Sequence, residues 1–199
     1  MIAIVDYGVG NLRSVARALE KVGGSPGLCS SHEELRRANG VVLPGVGAFA
    51  PALRRLQDSG LGRSLVEIAA RGTPLLGVCL GYQLLYEQSL EMGQHAGLGL
   101  LRGRVERIED TEHLPVIGWC RVRQEAESPL FAGIAQDAYF YFVHSYTPTL
   151  GPDRIASAPH TAAAAGGRGR VLGTQFHPEL SGADGLRLYA NFLDVCGAG

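Results

Sequence analysis

The sequence predicts an α/β fold: a central, mostly parallel sheet with helices on both faces and an antiparallel extension along one edge. Three observations carry this. Short, wholly apolar, β-branched runs alternate with helical patterns through the first half of the chain. Strands apolar at every position are buried on both sides, which is the situation of a parallel sheet covered by helices. In the second half strand-like runs follow one another across turns, as antiparallel neighbours do.

Taken in order, Ile2–Val5 is the first strand, followed by a turn at Gly10-Asn11. Leu12, Val15, Ala16, Leu19 and Val22 recur at helical spacing until Gly23-Gly24 stops the helix. A second strand is expected over Gly27–Cys29, a polar helix over Ser31–Ala38, and a buried third strand over Gly40–Leu43, ended by Pro44. Helices are expected over Phe49–Gln57 and Arg63–Arg71, and a fourth strand over Thr73–Val78 that runs into a helix from Gly81 to Glu91. Val105–Ile108, Val116–Val122, Tyr139–Val143, Ile155–Ala158 and Arg170–Phe176 read as strands added at the sheet edge, and Ala162–Gly169 as a small-residue loop or weak hairpin. Leu186, Tyr189, Leu193 and Cys196 form the buried stripe of a final helix. Neither a repeat nor a linker interrupts the pattern, so residues 1–199 are expected to form one domain.

Composition narrows the function classes. With 46% hydrophobic and 19% charged residues the chain has the make-up of an ordinary globular protein. A net charge of -1 offers no basic surplus for nucleic acid or an anionic membrane. Its apolar runs are too short to span a bilayer, and Met1–Asp6 reads as a strand rather than a signal peptide. The four cysteines, Cys29, Cys79, Cys120 and Cys196, form no C-x-x-C pair. A reducing cytoplasmic location is expected, with no metal and no organic cofactor.

One cysteine stands apart. Gly77-Val78-Cys79-Leu80-Gly81 places a thiol between small residues at a strand-to-helix junction, the arrangement that holds a nucleophile on a tight, exposed turn. The N-terminus of the following helix would favour a thiolate, and the Leu80 N–H would face an oxyanion on a bound carbonyl. A base is available in Gln175-Phe176-His177-Pro178-Glu179, where alternation along an extended chain points His177 and Glu179 the same way. A carboxylate on one imidazole nitrogen fixes the tautomer that leaves the other free to take a thiol proton. Leu43-Pro44-Gly45-Val46-Gly47 follows a neighbouring strand and offers a second backbone donor from the Val46 region. His144 is expected at a strand end near this site, and His32, His95, His113 and His160 in solvated positions.

Together these segments resemble the class I (triad) glutamine amidotransferases, and within them the glutaminase subunits of imidazole glycerol phosphate synthases. The resemblance is carried by Asp6-Tyr7-Gly8-Val9-Gly10-Asn11, Pro44-Gly45-Val46-Gly47, Gly77-Val78-Cys79-Leu80-Gly81, Pro115-Val116-Ile117-Gly118-Trp119, Tyr141–Tyr146 and Gln175–Glu179. It implies a single flavodoxin-like domain and a Cys79–His177–Glu179 triad. It also implies oxyanion donors at Leu80 and Val46, and glutamine contacts near Gly47, Gln83, Ser145 and Tyr146. The implied partner is a cyclase subunit with a (β/α)8 barrel, in a heterodimer. Where the family usually has Lys after His-Pro-Glu this chain has Leu180; Val116 and Cys120 also depart from the pattern, on what would be the synthase-facing side. The same glutaminase serving another acceptor, such as a surface-sugar amidotransferase, and a stand-alone Cys–His hydrolase are the alternative readings.

Overall fold

The structure, a computed structural model, describes residues 1–111 and 113–197. The first half alternates as its sequence pattern requires: β1 (Ile2–Val5), α1 (Leu12–Lys21), β2 (Pro26–Cys29), α2 (His32–Arg36), β3 (Gly40–Gly45), α3 (Phe49–Asp58), α4 (Leu61–Ala70), β4 (Leu75–Cys79) and the single-turn α5 (Leu80–Leu84). The chain then becomes almost entirely strand: β5 (Tyr86–Ser89), β6 (His95–Ala96), β7 (Leu101–Arg107), β8 (Val116–Gln124), β9 (Ala138–His144), β10 (Tyr146–Pro148), β11 (Arg154–Ala158), β12 (Thr161–Arg168) and β13 (Val171–Thr174). Helix α6 (Gly182–Cys196) follows.

Nine strands form one sheet in the order β2-β1-β3-β4-β13-β12-β11-β8-β9. The first five of that order are parallel and the rest antiparallel, so an antiparallel extension at one edge is as expected, except that Arg170–Phe176, expected within it, supplies β13, a parallel interior strand beside β4. Successive residues of β1 enter opposite layers: Ile2 and Ile4 pack with α1 and α6, Ala3 and Val5 with α3 and α4. That is why the strand is apolar at every position. On α6, Leu188, Tyr189, Phe192 and Leu193 are essentially inaccessible, and burying each apolar side chain of this size contributes about 1.5–3 kcal/mol.

Four further expectations are corrected. The helix placed from Gly81 to Glu91 stops at Leu84, because the carbonyls that would continue it are taken elsewhere. Leu98 N–H donates to the Leu84 carbonyl at 2.9 Å, and the N–H groups of Leu100 and Leu101 reach the Leu85 carbonyl at 2.8 and 2.9 Å. The chain therefore opens into β5, which joins a second, four-stranded sheet, β10-β7-β5-β6. The Val105–Ile108 strand belongs to that sheet and not to the edge of the first. Of the two readings of Ala162–Gly169 the loop is wrong and the hairpin is nearer: residues 162–168 belong to β12, an interior strand paired antiparallel with its sequence neighbours β11 and β13. Pro44 does not end β3 but lies within it, beyond Val42, where pairing with β1 has stopped and only β4 continues alongside.

The small residues of β12 and β13 make room for Tyr82. A Cβ at Gly173 would lie 2.1 Å from the Tyr82 ring, and one at Gly166 2.5 Å from its hydroxyl. The buried Tyr82 and Tyr86 hydroxyls satisfy one another at 2.6 Å. Gly173→Ala is expected to lower stability by about 1–3 kcal/mol or more through overpacking, read as a lower urea midpoint with an unchanged denaturant slope.

Candidate active site

Every carboxyl end of the central parallel strands opens on one rim, and the site is built there. β4 delivers Cys79 directly opposite Gly45 of β3. At Cys79 the backbone turns sharply, with φ 55° and ψ -114°, a conformation that costs a non-glycine residue about 1–3 kcal/mol unless its surroundings enforce it. The surroundings do. A Cβ at Gly81 would meet the Leu43 carbonyl oxygen at 1.8 Å, one at Gly77 would meet the Tyr82 Cα at 2.7 Å, and one at Gly45 would meet the Gly81 nitrogen at 2.7 Å. Three missing side chains thus let β3, β4 and α5 close around the turn. The thiol is left 6% exposed at its apex. Because α5 is a single turn, little macrodipole stands behind the sulfur; what remains of the expected helix effect is the local N–H groups of that turn.

His177 approaches from the other side of β4. It follows β13, the parallel neighbour of β4, and opens a 3-10 turn over Pro178–Leu180. This turn, and not strand alternation, brings the carboxylate round: Glu179 Oε1 lies 2.8 Å from His177 Nδ1, and the two side chains are 2% and 6% exposed. Tyr189 of α6 donates to the second Glu179 oxygen at 3.4 Å. The His177 backbone is held by β9: its N–H donates to the Tyr141 carbonyl at 2.9 Å, while Ser181 Oγ donates to the His177 carbonyl at 2.6 Å and accepts the Tyr141 N–H at 3.0 Å.

The electrostatics of the pair follow from this packing. Burial disfavours a charged imidazole, but the adjacent Cys79 thiol and the Glu179 carboxylate outweigh it, and the His177 pKa is pushed up to about 10. Its Nε2 is buried and has no hydrogen-bond partner among the described residues. Cys79 is nonetheless near enough to be one of the two groups that raise the imidazole pKa.

Eight of the nine residues singled out in the sequence, Val46, Gly47, Cys79, Leu80, Gln83, Ser145, Tyr146 and His177, line one cavity of about 320 Å³, with Glu179 behind His177. That volume lies at the small end of the range for ligand cavities. A larger open groove of about 820 Å³ between β7, β10 and β12 holds neither Cys79 nor His177. On the cavity wall Gln83 is fully committed as a donor: its Nε2 reaches the Tyr146 carbonyl at 2.9 Å and Gln175 Oε1 at 3.0 Å. Only its Oε1 is left to meet a ligand. His144 Nδ1 donates to the same Tyr146 carbonyl at 2.9 Å. Burial, aided by the nearby His177, pulls the His144 pKa down to about 4, so it is a neutral strut and not a base.

Three contributors were not foreseen. Gln175 Nε2 points at the Cys79 sulfur from 3.9 Å; its place two residues before His177 was the available signal. Glu91 is the one carboxylate among the described cavity-lining residues, and it accepts the Phe49 N–H at 2.8 Å. Tyr189 was read in the sequence only as part of the buried stripe of the last helix, with no signal of a contact to Glu179. Among the other histidines, His95 is not solvated as expected: its Nε2 is buried and its ring stacks on Phe49. His32 bonds Ser64 at 2.9 Å and His160 pairs with Asp110 at 3.1 Å.

Beside the cavity the outer face of β8 and β9 is apolar and uncovered. Ile117 stands opposite Val143, and Trp119 opposite Tyr141. Ile117 is 62% exposed, Trp119 53% and the neighbouring Leu180 43%. Val143 and Pro115 belong both to this face and to the cavity rim.

Comparison with known proteins places the chain in a family. The family described as glutamine amidotransferase class-I matches residues 3–196. A protein of Methanosarcina mazei named imidazole glycerol phosphate synthase subunit HisH is 43% identical, covering 98% of each chain. Proteins of the same name from Geobacillus kaustophilus and Desulfitobacterium hafniense are 44% and 46% identical, covering 98% and 96% of this chain and 97% and 93% of theirs. Among solved structures, a glutamine amidotransferase superposes with a TM-score of 0.80 over 99% of this chain and 100% of that one, at 21% identity. PurLQS from Thermotoga maritima gives 0.77 over 97% of each, at 19% identity, so both likenesses speak for the fold alone. The family match runs nearly end to end and the full-length relatives agree with it: this chain belongs to the class-I glutamine amidotransferases.

Proposed function

We propose that the chain is the glutaminase subunit of an imidazole glycerol phosphate synthase, acting in histidine biosynthesis through a Cys79–His177–Glu179 triad. The observation that carries this is a thiol on an enforced turn beside a buried imidazole–carboxylate pair, in a chain whose near-full-length relatives bear that subunit's name. Glutamine enters the 320 Å³ cavity with its α-ammonium toward Glu91 and its side-chain amide toward Cys79. With the thiol proton moved to His177, the sulfur attacks the amide carbon, and the resulting oxyanion is held by the N–H groups of Leu80 and Val46, each donor worth about 2.7–4 kcal/mol of barrier. His177 passes its proton to the departing nitrogen, and ammonia leaves a glutamyl thioester on Cys79. Water then gives a proton to His177 and attacks the thioester carbon; glutamate departs and the sulfur is free again.

Ammonia released into water is protonated and lost, so the cavity is expected to face an acceptor. The uncovered apolar face of β8 and β9 borders the cavity mouth at Val143 and Pro115, and an exposed patch with aromatic anchors is the usual form of a docking surface. Its occupant on this reading is the cyclase subunit, a (β/α)8 barrel that takes ammonia through its core and forms imidazole glycerol phosphate and an aminoimidazole carboxamide ribotide. One glutaminase domain over residues 1–199 completes the heterodimer. Among the described residues no helix is long and apolar enough to cross a membrane.

The central test is release of glutamate from glutamine by the chain with its cyclase subunit. Cys79→Ala should lower turnover by about 10³-fold or more; glutamate release at the parent rate would sink the mechanism. Trp119→Ala should weaken the complex by roughly 2 kcal/mol, seen by titration calorimetry, while leaving the urea midpoint in place. The raised His177 pKa gives a pH signature. Between its ordinary value of 6.5 and about 10 the folded chain keeps a proton on His177 that the unfolded chain has lost. Stability from this group is therefore complete below the first value and lost as pH rises through the second. The stability difference between the parent and His177→Gln should shrink from pH 6 toward pH 10.

A further inference from the structure

The loop Gly45–Ala48 supplies the Val46 N–H, yet its own conformation is lightly specified. Gly47 sits at φ +88° with open space around it, and Val46 is 45% exposed. A donor that is to stabilise a developing charge has to be held to within about 0.5 Å. The loop is anchored at both ends by side chains from outside it. Downstream, Phe49 N–H is fixed on Glu91. Upstream, the Tyr7 hydroxyl donates to the Pro44 carbonyl at 2.9 Å.

That upstream contact is unusually direct in its consequence. The Pro44 carbonyl and the Gly45 N–H share one rigid peptide plane, so the phenol sets the orientation from which the next plane, carrying the Val46 N–H, departs. Tyr7 follows β1 and is 6% exposed. Gly45 admits its hydroxyl: a Cβ there would lie 2.9 Å from the Tyr7 oxygen. Burial, and secondarily the nearby Cys79, push the phenol pKa up, so it stays a neutral donor. Tyr7 is absent from the described residues lining the cavity.

We propose that Tyr7 is a positioning residue for glutamine hydrolysis, its buried hydroxyl pinning the Pro44–Gly45 peptide so that the Val46 N–H is aimed at the oxyanion. The proposal rests on the assignment of Cys79 and Val46 made above. Since removing an oxyanion donor costs about 10²–10³ in kcat, misaiming one should cost about 10–100-fold.

The test is Tyr7→Phe, which keeps the ring and removes only the hydroxyl, measured in the complex with the cyclase subunit. Three quantities are read: kcat for glutamine, KM for glutamine, and the rate at which iodoacetamide alkylates Cys79. Alkylation displaces iodide at a saturated carbon and forms no oxyanion. The expected result is kcat lowered about 10–100-fold, with KM and the alkylation rate each within about twofold of the parent. An unchanged kcat overturns the proposal, and so does an alkylation rate that falls in step with kcat, because the phenol would then act on the thiol or the fold. A parent chain that releases no glutamate overturns this proposal and the functional assignment together, whereas an active parent with an equally active Tyr7→Phe overturns this one alone.

Discussion

The turn at Cys79 is the constraint on which the rest of the molecule depends. Its backbone conformation is unfavourable for a residue with a side chain, and it persists because β3, β4 and α5 meet where Gly45, Gly77 and Gly81 leave no Cβ between them. The parallel pairing of β3 with β4, and of β4 with β13, sets Gly45, Cys79 and the segment leading to His177 along one rim. Gly45, Cys79 and His177 thus come from separate stretches of chain and are brought to one rim by sheet register, with the turn after His177 and its contacts to β9 completing the arrangement.

A second principle is that the polar groups around this rim leave few hydrogen-bonding options open. Gln83, Gln175, His144 and the Tyr146 carbonyl form one network whose donors are already spoken for. Such networks are costly when half satisfied and stiff when complete. The groups left over suit the proposed chemistry: the Gln83 amide oxygen, the Glu91 oxygen not engaged by Phe49, and the His177 Nε2. The small sheet matters here because β10 brings Tyr146 to the wall and the β5–β6 connection brings Glu91.

Much of this could be read from the chain. The parallel half of the sheet was legible because both faces are buried and each strand is apolar throughout; the cysteine turn was legible because only glycine fits at Gly77 and Gly81. Legibility failed where long-range contacts overruled local pattern. The run after Gly81 is helical by propensity, and nothing local shows that Leu98–Leu101 will capture its carbonyls. Ala162–Gly169 looks like a loop by composition, and becomes a strand because Tyr82, about 80 residues earlier, needs a surface without side chains. His177 and Glu179 were paired correctly for a partly mistaken reason, since a 3-10 turn and not alternation joins them. Tyr189 and Glu91 were invisible because their role depends on where α6 and the β5–β6 connection are docked.

One last consequence concerns β9, the outermost strand of the large sheet. Both main-chain groups of Tyr141 are occupied by the segment running from His177 to Ser181, so the middle of that border offers no template for a foreign strand. The machinery that holds the imidazole therefore doubles as a guard against fibril-like stacking. Damage that frees this segment would join two defects usually thought separate, an idle enzyme and a sticky one.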